Sequence, residues 1–146
     1  MKERVSTISR QQERNILVRL KDVQAKSGYI SPADIAEVAK SYDTSISEVY
    51  GVATFYSFLC VTPPGRNVIR ICQSLPCHLK EGDAVRKQVS EILGIGPGET
   101  TPDGRFTLEV TNCIGACDMA PAMLVNGDLH GNLTPQNIAD TLESYR

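Results

Sequence analysis

The first third of the chain carries apolar residues at helical spacing, interrupted by short polar connections. Ile16, Leu17, Leu20 and Val23 fall on one helical face, and the following Gly28 is a residue that commonly ends a helix. The predicted N-terminal caps are Ser9 with Gln12, Ser31 with Pro32, and Ser45 with Glu48. The segment that follows the Ser45 cap stays largely apolar through residues 48–59. The pattern therefore predicts three helices within residues 1–62.

The hydrophobic pattern changes after the helix-breaking sequence TPPGR at 62–66. Beyond it, apolar and polar residues alternate in two stretches, which is typical of strands, and helical spacing returns between them. The predicted elements are a strand at 67–72, a helix at 83–93, a strand at 105–112, two short strands around the turn Asn126-Gly127, and a helix after Thr134. We thus predict an α+β protein with an N-terminal three-helix bundle (1–62) and a β-α-β-β-β-α domain (66–146).

Composition and charge exclude several classes of function. The 146 residues are 41% hydrophobic and 22% charged, as in an ordinary globular protein, and the net charge is −2 without a basic cluster. Nucleic acid is therefore not expected as a partner. The longest apolar run is half the length of a membrane span, and the N-terminal sequence has no apolar signal region. These features predict a cytoplasmic protein without direct membrane insertion.

Four of the five cysteines form two close pairs, and both pairs follow a predicted strand. Cys72 ends the first strand and Cys77 lies in the loop after it, whereas Cys113 follows the second strand and Cys117 lies in the loop beyond. If the two strands run in the same direction in one sheet, both loops emerge at the same edge. The four sulfur atoms would then converge there.

Three kinds of chemistry use cysteine pairs of this kind. Disulfides are disfavoured, because a reducing compartment opposes them and a bridge over so short a loop adds little stability. Zinc sites accept two to four residues between paired thiolates, so the spacing permits zinc. A [2Fe–2S] cluster requires two thiolates on each of two irons, which two short loops can supply. His78, near the site, and His130, on the hairpin, are predicted to be ordinary solvent-side residues that bind no metal. Cys60 is predicted to be a buried apolar residue.

Three stretches of the sequence resemble a known family. They are YISPADIAEVAKSYDTSISEVYGVATFYSF, CQSLPCHLKEGDAV and TTPDGRFTLEVTNCIGACDMAPAMLVNGDLHGNLTP. From about Tyr29 onward, the chain resembles the thioredoxin-like [2Fe–2S] ferredoxin subunits of NADH dehydrogenase modules. Such proteins include the E subunit of NADH-quinone oxidoreductase in respiratory complex I and the equivalent gamma or C subunits of NAD-dependent or electron-bifurcating hydrogenases and formate dehydrogenases.

The resemblance implies a fold, a cofactor and partners. Residues 66–146 would form a thioredoxin-like domain, with Cys72, Cys77, Cys113 and Cys117 as the ligands of one [2Fe–2S] cluster. The helical bundle would dock on a flavoprotein that binds FMN and NAD(H), within a complex that contains further iron–sulfur subunits. The chain would transfer electrons in an NAD(H)-dependent oxidoreductase without catalytic activity of its own. Its location would be cytoplasmic, or peripheral on the inner face of the membrane through its complex.

Two alternatives remain at the level of the sequence. One is a zinc-bound, non-redox scaffold subunit, which the spacing of the cysteine pairs permits. The other is a free ferredoxin without a fixed partner, against which the N-terminal helices argue, because a free carrier does not need them. The chain has neither a G-x-G-x-x-G nor a Walker A pattern, so NAD and FMN are assigned to the partner.

Overall fold

The computed structural model of the protein describes residues 15–146. The chain divides into two compact units, Met1–Pro63 and Pro64–Arg146. The capping box predicted at Ser9 and Gln12 lies outside the described residues. Each unit has its own apolar core.

The N-terminal unit contains the three predicted helices. They are α1 (Ile16–Ser27), α2 (Pro32–Ser41) and α3 (Ile46–Phe55). Their apolar faces meet in one core, which consists of Leu20, Ile30, Ile35, Val38, Ala39, Val49 and Ala53. Each helix carries a stripe of apolar residues, which becomes buried when the three helices pack together.

Local capping fixes most of the helix ends. Gly28 ends α1 in the left-handed conformation, with φ of 82°. Ser31 and Asp34 form a reciprocal capping box at the start of α2, where the backbone N–H of Ser31 donates to the Asp34 carboxylate at 2.8 Å. The Ser45 side chain accepts from the N–H of Glu48. These caps confirm the predicted helix starts at Ser31 and Ser45.

The third helix is shorter than the sequence predicts. It ends at Phe55 and not near residue 59, because the backbone turns to an extended conformation at Tyr56. The following segment bonds to α1: the amide of Gln24 donates to the carbonyl of Phe58 at 2.8 Å and accepts from the N–H of Cys60 at 2.6 Å. These hydrogen bonds replace the helical ones that the apolar spacing predicted. Cys60 is buried, as predicted.

The C-terminal unit is a mixed four-stranded sheet with helices. Its elements are β1 (Asn67–Cys72), α4 (Leu75–Leu79), α5 (Gly82–Leu93), β2 (Phe106–Thr111), a 3-10 turn (Cys117–Met119), β3 (Met123–Val125), β4 (Asp128–His130) and α6 (Pro135–Glu143). The strand order is β2-β1-β3-β4, with β1 and β2 parallel and the other pairs antiparallel. The order of elements confirms the β-α-β-β-β-α prediction, with α4 as an additional short helix.

The central strand β1 has two buried faces. Ile69 and Ile71 belong to the main core, together with residues of α5, α6 and the neighbouring strands. Because side chains alternate along a strand, Val68, Arg70 and Cys72 lie on the opposite face. All six residues of β1 are nevertheless buried. The strand therefore delivers Cys72 to the edge of the sheet in a largely enclosed position.

Candidate metal centre

The two cysteine loops leave the sheet at the same edge. β1 and β2 pair in parallel with Cys72 opposite Thr111, so both strands end at the same level. Cys113 follows two residues after Thr111. The structure thus confirms that the two strands run in the same direction and that both cysteine-bearing loops leave the sheet at one edge.

The first cysteine pair is held by a strand end and a short helix. Cys72 ends β1, and Cys77 lies in α4, with Pro76 in the first turn of that helix. The prediction that Cys77 lies in a loop was wrong, because Pro76 and the polar Ser74 before it start a helix of five residues. Cys72 and Cys77 are buried, in contact with Ala120 and half-buried Ile114.

The second pair lies in a tight, exposed turn. The sulfur atoms of Cys113 and Cys117 are 3.4 Å apart. Gly115 between them has φ of 85°, which lets the chain reverse and direct its N–H to the Cys113 sulfur at 3.4 Å. Cys117 begins the 3-10 turn that ends at Met119. One pair is thus enclosed and the other faces solvent.

The loops meet at the sulfur of Cys72. Burial opposes ionisation of this thiol, but hydrogen bonds from the N–H of Ser74, the thiol of Cys77 and the N–H of Ile114 outweigh it and lower its pKa. Ser74 belongs to the first loop and Ile114 to the second. A negative charge on Cys72 is therefore stabilised by donors from both loops.

Two further thiols, those of Cys77 and Cys117, have raised pKa values. Burial raises the pKa of Cys77, and its hydrogen bond to Cys72 and the charges of Cys72 and Cys117 raise it further. The hydrogen bond to Cys113 raises the pKa of Cys117, and the charges of Cys113 and Cys72 act in the same direction. Thiols of both loops thus oppose one another's ionisation, which a bound cation would relieve.

The remaining histidines and the fifth cysteine lie elsewhere. His78 Nδ1 is 3.0 Å from the carboxylate of Asp83, and both side chains are exposed. His130 is half-buried, and its Nε2 lies 3.0 Å from the hydroxyl of Tyr145, so the prediction that it faces solvent was only partly right. Cys60 belongs to the N-terminal unit. None of the three joins the two cysteine pairs.

The candidate ligands are two thiol pairs. Within residues 15–146, no group of three or more His, Cys, Asp or Glu residues is arranged to hold one metal ion. Two thiols from each loop, with backbone N–H donors around Cys72, fit a cluster in which each iron takes two thiolates. Sequence reasoning missed Ile114, whose N–H stabilises the Cys72 thiolate, and Gly82, which lies against the backbone of Cys77. Neither a backbone donor nor a close backbone contact has a local sequence signature.

Comparison with known proteins decides the family. The sequence profile of the thioredoxin-like [2Fe–2S] ferredoxins matches residues 1–146. The chain belongs to this family. The predicted cofactor, a [2Fe–2S] cluster, is the one that defines the thioredoxin-like [2Fe–2S] ferredoxins, and the α+β fold prediction is confirmed with it.

The relatives of this thioredoxin-like ferredoxin include subunits of NADH-quinone oxidoreductase. The E subunit of NADH-quinone oxidoreductase from Pseudomonas aeruginosa is 41% identical over 126 residues, which cover 86% of this chain and 76% of the relative. Its counterpart in Escherichia coli is 42% identical over 127 residues, covering 87% and 76%. The structure is also similar to NAD+-reducing [NiFe]-hydrogenase in the air-oxidised state, with a TM-score of 0.75 and 27% identity. That match covers 89% of this chain but 22% of the hydrogenase chain.

Proposed function

We propose that this protein is an electron-transfer subunit of an NAD(H)-dependent oxidoreductase. In this proposal, Cys72, Cys77, Cys113 and Cys117 hold one [2Fe–2S] cluster, which exchanges single electrons with the FMN of a partner flavoprotein. The observation that carries it is the parallel pairing of β1 and β2, with Cys72 opposite Thr111, which brings both cysteine-bearing loops to one edge of the sheet. Four thiols and converging donors at one sheet edge match the needs of a two-iron centre.

The chain's own residues give the site its properties. A [2Fe–2S] cluster, when bound, takes up and releases one electron at a time. The N–H groups of Ser74, Ile114 and Gly115 face sulfur atoms and stabilise the added negative charge, which raises the reduction potential. Ile114 and Ala120 shield the enclosed pair from water. The exposed pair, Cys113 and Cys117, leaves one side open for electron exchange with a partner.

The partner would supply the nucleotide chemistry. This chain has no dinucleotide or phosphate-binding fingerprint, whereas its relatives are named as subunits of NADH-quinone oxidoreductase. A two-electron hydride transfer therefore belongs to a flavin and NAD(H) site on another protein of the complex. We assign the chain to the NADH module of complex I or to an NAD-dependent hydrogenase or formate dehydrogenase, together with further iron–sulfur subunits, and expect no activity from it alone.

The helical unit offers a surface for such a partner. Phe55 is 79% exposed, and Tyr56 and Phe58 are also exposed. An open groove of about 770 Å³ runs along this region, lined by Ile16, Val52, Phe55 and Tyr56 among others. Exposed aromatic side chains beside a groove are typical of protein interfaces. We therefore place the docking surface for the flavoprotein here.

The proposed location follows from the proposed complex. No helix within residues 15–146 is both long and apolar enough to span a membrane. We propose that the protein is cytoplasmic, or held at the inner face of the membrane only through other subunits of its complex.

Metal analysis of the purified protein tests the proposal. We expect about two irons and two acid-labile sulfides per chain, a red-brown colour, and an EPR signal after reduction. Cys72→Ser should abolish or strongly disturb the centre, because it removes the thiol at which the loops meet. Cys60→Ser is the matched control, since Cys60 lies in the other unit, and it should retain the full iron content. NADH should reduce the centre only when the flavoprotein is added.

Two results would contradict the proposal. A colourless protein that contains zinc in place of iron would favour the non-redox scaffold. Loss of the cluster in Cys60→Ser, with retention in Cys72→Ser, would show that the ligand assignment is wrong.

A further inference from the structure

A charged pair joins β1 to the edge strand β2, the two parallel strands that lead to the cysteine loops. Arg70 Nε on β1 is 2.8 Å from Glu109 Oε2 on β2. The side chains of Arg70 and Glu109 are only 8% and 24% exposed, so water screens these charges little. Burial of an ion pair is costly and is often no more stabilising than apolar residues of similar size. Stability alone therefore does not explain a charged pair at this position.

The pair shares a sheet face with the first cysteine of the site. Arg70 precedes Cys72 by two residues on β1, which places their Cα atoms about 7 Å apart on the same face. Glu109 lies opposite Arg70 in the parallel register, as Thr111 lies opposite Cys72. Arg70 thus lies two residues before Cys72 on the same strand and the same face, whereas Glu109 lies on the neighbouring strand β2.

We propose that the Arg70–Glu109 pair sets the reduction potential of the centre; this inference rests on the proposed function, which places a cluster at Cys72. Reduction adds one negative charge to the site. The positive charge of Arg70 favours the reduced state and the negative charge of Glu109 opposes it. Each charge therefore shifts the potential in its own direction, and loss of one partner leaves the effect of the other uncompensated.

A purely structural role makes a different prediction. If the pair only fixed the register of β1 and β2, removal of either charge would change the stability of the protein. It would not shift the potential in opposite directions. The direction of the shift in midpoint potential therefore distinguishes an electrostatic effect on the centre from a purely structural role of the ion pair.

An EPR-monitored redox titration of the full-length, cluster-loaded protein tests the inference. We expect Glu109→Gln to raise the midpoint potential and Arg70→Met to lower it. Each should change the ratio of reduced to oxidised centre at a fixed ambient potential by on the order of tenfold, which is about 59 mV for one electron. The double variant should fall between the two. Arg70→Lys keeps the charge and should remain close to the unaltered protein.

Iron and acid-labile sulfide are measured first in every variant. An unaltered protein without a [2Fe–2S] centre would contradict the proposed function itself. Fully loaded variants whose potentials stay unchanged, or move in the same direction, would overturn only the role of the ion pair. If Arg70→Met does not fold, Glu109→Gln is compared with Glu109→Asp. The inference requires that Glu109→Gln raises the midpoint potential. It also requires that Glu109→Asp, which keeps the charge, leaves the potential unchanged.

Discussion

At the scale of the residue, close backbone contacts hold the first cysteine loop in place. Gly82 begins α5 immediately beside Cys77, and it is buried. A Cβ atom at this position would lie 2.7 Å from the carbonyl oxygen of Cys77 and 3.0 Å from its carbonyl carbon. Only glycine permits this approach, so Gly82 fixes the junction between α4 and α5 and with it the position of the Cys77 thiol.

Replacement of Gly82 should therefore loosen the site. Gly82→Ala forces the backbone of Cys77 away, and we expect the free energy of unfolding to fall by about 1–3 kcal/mol, as for other overpacked sites. We also expect faster loss of iron to a chelator. Chemical denaturation and the decay of visible absorbance measure the two effects.

Gly127→Ala is the matched control for this substitution. Gly127 belongs to the same unit, and its added Cβ meets no atom within 4 Å. If Gly82→Ala retains iron as long as Gly127→Ala and unfolds at the same denaturant concentration, the contact with Cys77 does not support the site.

At the scale of the element, the helix α3 and the segment after it have two distinct roles. Val49 and Ala53 fill the core of the helical unit. Phe55, Tyr56 and Phe58, which the apolar sequence placed inside one long helix, lie at and beyond its end and are exposed. The early end of α3 thus turns part of an apolar run into a surface suited to the proposed flavoprotein partner.

Phe55 should contribute strongly to binding of that partner. Its side chain is 79% exposed and borders the groove beside α1, so a partner can bury nearly all of it. We expect Phe55→Ser to weaken the affinity for the flavoprotein by about tenfold or more, the range of an aromatic interface hot spot. Titration of the purified partner measures the dissociation constant.

Ile46→Ser serves as the comparison. Ile46 is 59% exposed at the start of the same helix but does not line this groove. Equal affinities for the Phe55→Ser and Ile46→Ser variants would rule out the groove as the docking surface. Unchanged iron content in both confirms that the second unit is intact.

At the scale of the whole molecule, each unit has its own core. The helical unit encloses one apolar cluster, and the sheet unit encloses another that includes Ile69, Leu108, Met123 and Ile138. The proposed cluster ligands all belong to the second unit. We propose that residues 1–62 and 66–146 are separate domains, so that cofactor binding stabilises only the second.

Removal of the cluster should therefore lower the thermal stability of only the C-terminal domain. We expect calorimetry of the loaded protein to show two unfolding transitions, and iron chelation to lower the midpoint of only one, because a cofactor stabilises only the state that binds it. A fragment of residues 64–146 should fold and bind the cluster. One transition that shifts as a whole, together with an unfolded fragment, would contradict the division into domains.

Local signals made much of this architecture predictable from the sequence. Capping residues act within three positions and strand alternation within two, so Ser31, Ser45 and Thr134 marked helix starts and residues 67–72 marked a strand. The turn Asn126-Gly127 marked a hairpin for the same reason. The position of each cysteine pair after a strand was also visible, because it depends only on order along the chain.

Contacts between residues far apart in the sequence decided the features that local signals could not predict. Gln24 ends the α3 run through hydrogen bonds to Phe58 and Cys60, which lie 34 and 36 residues away. The N–H of Ile114 reaches Cys72, and Arg70 meets Glu109, only because β1 and β2 pair in parallel. The sequence by itself thus determined which elements form and which loops carry the thiols. The tertiary structure decided where those loops meet and which charges surround them, because these contacts join residues whose separation exceeds the reach of any local pattern.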